Sequence, residues 1–334
     1  MIHKEPLLSY LKSEAFLAPL GIPAGSELTF TLLGQGEYNL NYLFPHPITG
    51  QKLVLRLNTG SQMHLESQIQ YEYSALQHLI PSTRTPKPLL CVPQMNMLVM
   101  EWLPGVALDY RTDMDTAARI LADIHSVPIP ENCGLIRPAA PAKAIYEECL
   151  QMAQHYFDWD QADPTVTGLL QQLIAEIGKL PLEAPSDAPT CIVNTELNSG
   201  NFLIDRDGHS HLIDWEKPLL SEPAQDLGHF LAPTTTFWKT DVILTPEEVK
   251  DFTDKYIAAI SGRMDCSTLA ARLPLFFTVT CLRGVTWCAM AYREYCQPGR
   301  QLTNQDTFLK LKAYLEPAFL QNLLDNYVRK DFLA

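Results

Sequence analysis

The feature that constrains this chain most is a polar loop between two short apolar runs. Cys191–Val193 leads into the loop sequence Asn-Thr-Glu-Leu-Asn-Ser-Gly-Asn, and Phe202–Ile204 leads out of it. Arg-Asp-Gly at 206–208 then precedes another apolar run, and Asp-Gly between apolar runs is a strong hairpin signal. The segment is therefore predicted to form a loop, a strand, a tight turn and a second strand that ends at Asp214.

Three side chains of this segment suit phosphoryl transfer. Glu196 and Asn201 share the loop, and Asp214 follows at the end of the predicted hairpin. One acid can accept the proton of an attacking hydroxyl group. The amide oxygen and the second acid can hold Mg²⁺, a hard cation that prefers oxygen ligands.

With these residues the sequence resembles the aminoglycoside phosphotransferase / choline kinase family, relatives of the protein kinases. The catalytic loop of that family reads His-Gly-Asp, four residues and Asn, and its metal-binding strand ends in Ile-Asp-Trp/Phe; the spacing here fits both. The sequence departs at two positions, because Asn194 stands where the family has His and Glu196 where it has the catalytic Asp. The resemblance implies an α+β, bilobal protein-kinase-like fold with a small antiparallel-sheet N-lobe and a larger, mostly helical C-lobe.

The resemblance also implies a role for each loop residue. Glu196 becomes the catalytic carboxylate, and Asn201 and Asp214 become the Mg²⁺ ligands. The sequence Ser-Glu-Pro-Ala-Gln-Asp-Leu that ends at Leu227 resembles the family's Asp-Pro-x-x-Asp-Leu segment. Its Asp226 is expected to brace the loop by hydrogen bonds, with Asn194 as a second structural support. ATP or GTP is the implied co-substrate.

A glycine-containing turn is predicted to contact the nucleotide. Two glycines between strands, Gly34 and Gly36, allow backbone N–H groups to approach a phosphate, although a plain hairpin turn explains them equally well. Within the family this position carries the nucleotide loop, and Asn39 fits its pattern. The apolar runs predict a five-stranded antiparallel sheet with strands at 28–33, 41–44, 53–57, 89–92 and 97–100.

A cation and an acid are predicted to pair behind the phosphates. Arg56 lies on the third predicted strand, and Arg is a good bidentate phosphate ligand. Apolar residues at helical spacing predict a helix over 64–80. Glu72 on this helix matches the family's partner of the strand cation, and Glu66 is the rival candidate.

Glu101 and Trp102 end the predicted N-lobe and, by resemblance, form the hinge that meets the base of the nucleotide. Pro104 and Gly105 mark the boundary, so residues 1–102 are assigned to the N-lobe and 103–334 to the C-lobe. Further helices are predicted at 5–20, 115–126, 143–180 with a break at 163–164, 246–262, 267–296 and 304–328.

Charge and composition limit the partners. Residues 1–102 carry 6 Lys+Arg against 7 Asp+Glu, and residues 103–334 carry 19 against 31. An acidic second half argues against nucleic acid. It is compatible with a cationic substrate, but ordinary solubility charge explains it equally well. Eight scattered cysteines, no signal-like N-terminus and no long apolar run predict a cytoplasmic protein with reduced thiols and no membrane partner.

The sequence thus predicts a small-molecule kinase that phosphorylates a hydroxyl group of an aminoglycoside-, choline/ethanolamine- or sugar-type acceptor. The alternative is a nucleotide-binding pseudokinase or scaffold without phosphoryl transfer, because Glu196 replaces the family's Asp. The apolar helix that carries Trp287, Tyr292, Glu294 and Tyr295 is predicted to be core rather than a cation-binding cage.

Overall fold

The computed structural model describes residues 4–36, 38–60, 63, 65–297, 305–330 and 332. Its α-helices are α1 (Lys4–Leu11), α2 (Glu14–Leu17), α3 (Gln68–Leu79), α4 (Met114–His125), α5 (Pro141–Phe157), α6 (Pro164–Ile177), α7 (Pro223–Leu231), α8 (Pro233–Lys239), α9 (Pro246–Ile260), α10 (Leu269–Tyr295), α11 (Gln305–Tyr314) and α12 (Pro317–Leu323). Its strands are β1 (Thr31–Gln35), β2 (Asn39–Pro45), β3 (Lys52–Asn58), β4 (Pro88–Val92), β5 (Met97–Glu101), β6 (Val106–Ala107), β7 (Cys191–Val193), β8 (Phe202–Ile204), β9 (His211–Leu212) and β10 (Leu219–Ser221).

The N-terminal part is a five-stranded antiparallel sheet in the order β1-β2-β3-β5-β4. The central strand β3 alternates its side chains between the two faces, as the pleat requires. Leu53 and Leu55 join a core beneath α1 and α2, whereas Val54 packs with α3 and the C-terminal part. Arg56 shares the parity of Val54, so its side chain points toward α3. The predicted α+β fold with this sheet is confirmed.

Two N-terminal helix predictions need correction. The region predicted as one helix over 5–20 forms two short helices, because the chain turns at Ser13, whose Oγ donates to the carbonyl of Tyr10 at 2.7 Å. The next helix begins at Gln68 rather than 64, after Ser67 caps it by accepting a hydrogen bond from the N–H of Gln70 at 3.3 Å. Residue 64 itself lies outside the described residues.

The C-terminal part is organised around α10, which packs against α5 and α7. By length and composition α10 could cross a membrane, but 67% of its apolar segment is buried inside the fold. The helices approach closely where α7 carries Gly228, since a Cβ there would lie 2.7 Å from the Cβ of Phe276. The long apolar helix is therefore the core element that the sequence analysis expected.

The chain between 214 and 246 contains two helices that the sequence analysis did not predict. Both α7 and α8 begin with proline, at Pro223 and Pro233, where the fixed φ angle and the missing N–H suit the first helical position. The single helix predicted over 304–328 is also divided, because Pro317 starts α12 after a break; residue 304 lies outside the described residues.

All eight cysteines are free, and five of them are buried. Burial raises the pKa of Cys149 to about 12, and it raises the pKa of Cys288 as well. Such thiols stay protonated and unreactive at neutral pH. The expectation of reduced, mostly buried thiols therefore agrees with the fold.

Candidate active site

The loop between β7 and β8 is held by one buried carboxylate. Asp226, in the first turn of α7, accepts the backbone N–H of Asn194 at 2.8 Å and that of Thr195 at 2.9 Å. Thr195 has a φ of 70°, which is unusual for a β-branched residue. Its hydroxyl donates to the carbonyl of Lys217 at 2.8 Å, so contacts on both sides maintain the strained turn. These are the contacts expected of the predicted brace.

A second layer supports Asp226. His125 on α4 lies with its Nε2 3.2 Å from Asp226 Oδ2, and its Nδ1 is 2.8 Å from the hydroxyl of Tyr256 on α9. Asp226 is fully buried and His125 is 1% exposed. Because a buried carboxylate needs hydrogen bonds to offset its lost hydration, this chain of contacts fixes the position of the loop brace.

Asn194, which stands in the position of the family's His, links the loop to the strand end that carries Asp214. Its Nδ2 donates to the backbone carbonyl of Asp214 at 2.9 Å, and its Oδ1 accepts the N–H of Glu196 at 3.0 Å. Asp214 has a φ of 66°, a conformation that Asp tolerates better than most residues. These two hydrogen bonds connect the loop to the strand end, and the role of Asn194 as a loop support stays a prediction.

The two predicted Mg²⁺ ligands lie on adjacent segments. The N–H of Ile213 donates to the carbonyl of Asn201 at 2.8 Å, which brings Asn201 beside Asp214. The Nδ2 of Asn201 donates to the carbonyl of Glu196 at 2.7 Å. Its Oδ1 accepts no hydrogen bond within the described part of the chain, so an amide oxygen and a carboxylate remain for a hard cation.

Arg56 joins the sheet, α3 and the strand end. Its Nη1 lies 2.6 Å from Glu72 Oε1 and 3.3 Å from Asp214 Oδ1, and its Nε donates to Asn41 Oδ1 at 3.0 Å. Burial acts to lower the pKa of Arg56, but Glu72 and then Asp214 outweigh it and raise that pKa above its ordinary value. The rival Glu66 is exposed, so the structure pairs Arg56 with Glu72.

Glu216 belongs to the same cluster, although the sequence analysis assigned it no role. Its carboxylate accepts a hydrogen bond from Asn39 Nδ2 and lies 3.7 Å from Arg56 Nη1. Burial and then Asp214 raise the pKa of Glu216 to about 9, against the opposing effect of Arg56. The side chains of Asp214, Glu216 and Glu72 face one common cation, and this crowding of carboxyl groups disfavours the ionised form of Glu216; a divalent metal ion would relieve it.

The remaining predicted nucleotide residues lie around this cluster. Gly36 closes the β1–β2 hairpin by donating its N–H to Asn39, and a Cβ at Gly34 would meet nothing within 4 Å. At the predicted hinge, the N–H groups of Glu101 and Trp102 already donate to the carbonyls of Lys87 and Lys52. Nucleotide contacts stay predictions for four residues, which are Gly34, Gly36, Glu101 and Trp102.

Glu196 lies beside a second group of charges. Its side chain is 26% exposed, and its Oε1 is 3.7 Å from an Nη of Arg283 on α10. Burial raises the pKa of Glu196, although Lys217 and Arg283 act to lower it. Both cations also contact Glu148 on α5, with Lys217 Nζ at 3.2 Å and Arg283 Nε at 3.4 Å. No sequence pattern indicates this group, because its members lie on α5, on the segment after β9 and on α10.

The aromatic residues of α10 pack against other aromatic rings. Trp287 meets Trp238 edge-on with ring centroids 5.2 Å apart, and Tyr292 and Tyr295 both stack on Phe308. Their main role is therefore packing, as the sequence analysis predicted.

Among the described residues, no group of three or more His, Cys, Asp or Glu side chains is arranged to hold a metal ion.

Comparison with known proteins places this geometry in a family. The family model of the phosphotransferase enzyme family (APH) matches residues 29–263, about two-thirds of the chain and the whole segment from β1 to α9. The chain belongs to the phosphotransferase enzyme family. No curated protein matches the sequence.

Solved structures of this family share the fold at low sequence identity. An ethanolamine kinase from Plasmodium vivax is 17% identical with a TM-score of 0.65, covering 95% of this chain and 94% of that one. A choline kinase from Cryptosporidium parvum is 13% identical with a TM-score of 0.66, covering 98% of each chain. A spectinomycin phosphotransferase in complex with ADP and spectinomycin is 15% identical with a TM-score of 0.60, covering 94% of this chain and 97% of that one.

Family membership confirms the predicted class, a phosphotransferase with an alcohol group as acceptor, on a protein-kinase-like fold. It supports small-molecule kinase activity and gives no support to the pseudokinase alternative.

Proposed function

We propose that this protein transfers the γ-phosphoryl group of ATP to a hydroxyl group of a small molecule. The observation that carries the proposal is the contact of Arg56 with both Glu72 and Asp214, at 2.6 and 3.3 Å. It connects the predicted phosphate cation on the sheet with the predicted metal ligand after the catalytic loop. A guanidinium so held is a rigid, pre-oriented donor for phosphate oxygens. GTP is the alternative co-substrate.

Asn201 and Asp214 would hold Mg²⁺. The donor set fits, because Asn201 presents its amide oxygen and Asp214 adds a carboxylate in a site where carboxyl groups crowd together. A bound Mg²⁺ supplies positive charge to the phosphate oxygens of the nucleotide. The chain's own contribution is to fix these two oxygens through Asn194 and the Asn201 backbone.

Glu196 would accept the proton of the acceptor hydroxyl. Its backbone is fixed at both peptide groups, since Asn194 Oδ1 accepts its N–H and its carbonyl accepts from Asn201. Burial raises its carboxyl pKa, and a base whose pKa is closer to neutral accepts a proton more readily. The partly exposed carboxylate can reach an acceptor that enters from solvent.

Two further assignments accompany the proposal. We place the boundary between an N-lobe and a C-lobe after residue 102, where the sheet ends. We also place the protein in the cytoplasm, where ATP and Mg²⁺ are available.

The proposal is tested by single-turnover transfer from radiolabelled ATP to water and to a panel of hydroxyl compounds. Glu196→Gln is expected to lower the transfer rate by about 100-fold or more, while the Kd for Mg·ATP changes less than about threefold. Glu147→Gln, which alters an exposed glutamate on α5, is the matched control. A rate that is unchanged in Glu196→Gln would remove Glu196 from the mechanism.

A further inference from the structure

Two cations and one histidine lie next to Glu196 on three separate segments. Lys217 follows the strand end at Asp214, Arg283 lies on α10, and His229 lies on α7. Lys217 and Arg283 are joined through Glu148, and Arg283 also approaches Glu196. His229 contacts the catalytic loop directly, because its Nδ1 accepts the N–H of Leu197 at 3.1 Å.

The two cations have more hydrogen-bond donors than the protein uses. The side chains of Lys217 and Arg283 are 13% and 18% exposed. Among the described residues, each makes one hydrogen bond, in both cases to Glu148 and at 3.2 Å or more. An arginine carries five N–H donors and a lysine three. One shared carboxylate therefore leaves several donors that can reach solvent or a ligand.

His229 adds a neutral donor. Because its Nδ1 accepts a hydrogen bond, the ring proton resides on Nε2. Burial lowers the pKa of His229 to about 3, and Arg283 and Lys217 act in the same direction. The ring is consequently neutral at physiological pH, with an N–H rather than a lone pair on the nitrogen that does not face the loop.

This arrangement does not favour a cationic group beside Glu196. An ammonium group there would also lie close to Arg283 and Lys217, whose positive charges offset the attraction of the Glu196 and Glu148 carboxylates. The aromatic pair Trp238–Trp287 offers no separate cage, because Trp287 is one helical turn from Arg283 on α10. The net acidic charge of residues 103–334 is therefore not a guide to the charge of the residues around Glu196.

We propose that Lys217 and Arg283 form a subsite for an anionic group of the acceptor, a carboxylate in the first instance, close to the hydroxyl that is phosphorylated. The inference rests on the proposed function, since it names the acceptor class of the same site. In the protein without a bound acceptor, the carboxylate of Glu148 pairs with both cations.

The test is a calorimetric titration of the protein saturated with Mg·ADP, using hydroxyl compounds that differ in charge. One set is glycerate, glycerol and serinol; the second is 4-(hydroxymethyl)benzoate, 1,4-benzenedimethanol and 4-(aminomethyl)benzyl alcohol. The carboxylate member of at least one set is expected to bind at least tenfold more tightly than its neutral and cationic counterparts. Equal or tighter binding of a neutral or cationic member, or no binding of either carboxylate, would overturn the proposal.

Variants assign the binding to these residues. Arg283→Met and Lys217→Met are expected to weaken carboxylate binding at least tenfold, and Arg283→Lys and Lys217→Arg to restore part of it. Glu148→Gln is expected to strengthen carboxylate binding severalfold, because it removes the competing internal anion; weaker binding would mean that the cations only hold Glu148. Lys250→Met, on the exposed face of α9, is the charge-matched control and should change nothing.

The nucleotide measurement separates this proposal from the function it rests on. Wild-type protein that binds no Mg·ADP would contradict the proposed kinase activity itself. If Arg283→Met or Lys217→Met weakens Mg·ADP binding rather than carboxylate binding, the cations serve the nucleotide and the acceptor subsite is excluded.

Discussion

The guanidinium of Arg56 contacts the carboxylate of Asp214 at 3.3 Å, although 158 positions separate the two residues. Arg56 belongs to the N-terminal sheet, whereas Asp214 ends the hairpin that follows the catalytic loop. The same guanidinium is fixed by Glu72 on α3. One arginine thus determines how the sheet, its helix and the predicted metal site are oriented to each other.

We expect Arg56→Met to lower the free energy of unfolding by about 3 kcal/mol, because it leaves the carboxylate of Glu72 buried without its cation. The double variant Arg56→Met/Glu72→Leu should recover most of that loss, since neither charge then remains. Urea unfolding of the wild type, both single variants and the double variant measures the coupling. Strictly additive effects would show that the pair contributes nothing to stability.

Asp226→Asn should damage the catalytic loop more than nucleotide binding. An amide has one acceptor oxygen, so it cannot accept both backbone N–H groups of Asn194 and Thr195 as the carboxylate does. We expect the transfer rate to fall by about 100-fold, as for a displacement near 1 Å, with a Kd for Mg·ATP within about threefold. Asp123→Asn on α4 is a control, because that carboxylate pairs with Arg84 and Arg263 and does not contact the loop. Equal transfer rates in Asp226→Asn and wild type would contradict the brace.

His229 should make the protein less stable in mild acid. Its pKa is about 3 in the folded state, where burial, Arg283 and Lys217 disfavour the charged ring and outweigh the opposing effect of Asp226, against about 6.5 when unfolded. The unfolded chain therefore binds the extra proton first, and the free energy of unfolding falls as the pH drops below about 6.5. At pH 5 the free energy of unfolding of the wild type should have fallen by about 2 kcal/mol more than that of His229→Gln.

Thermal or urea unfolding of both proteins at pH 7, 6 and 5 measures this difference. Gln can still accept the N–H of Leu197, so the variant preserves the contact while removing the titrating group. A His78→Gln variant is a suitable control, because the ring of His78 makes one hydrogen bond to the described residues, with the carbonyl of Cys133, and this bond lies outside the site. Parallel pH profiles for wild type and His229→Gln would contradict the assignment.

Local patterns were sufficient to predict most of the framework. Apolar runs predicted all five strands of the sheet, although the first lies at Thr31–Gln35 rather than at 28–33, and the Asp-Gly turn at 207–208 predicted the hairpin that positions Asp214. The strands and the hairpin depend on neighbours close in the chain. The pairing of Arg56 with Glu72 was expected from the family resemblance instead, which left Glu66 as a rival.

The group of charged residues beside Glu196 could not be predicted in the same way. Glu148, Lys217, His229 and Arg283 come from four segments that only tertiary packing brings together, and none belongs to a motif. Glu216 was missed for a related reason, since its contact with Asn39 crosses between the two parts of the chain. The short helix α7, which presents His229, starts at a proline and spans only nine residues, which leaves little sequence in which to recognise it.

The central claim is that Asp214 and Arg56 belong to a nucleotide site that requires magnesium. Calorimetric titration of wild type and Asp214→Asn with ATP and then GTP, each with and without Mg²⁺, tests it directly. The account predicts binding that depends on Mg²⁺ and is at least tenfold weaker in Asp214→Asn. Binding of neither nucleotide, or binding that is indifferent to both Mg²⁺ and the substitution, would contradict it.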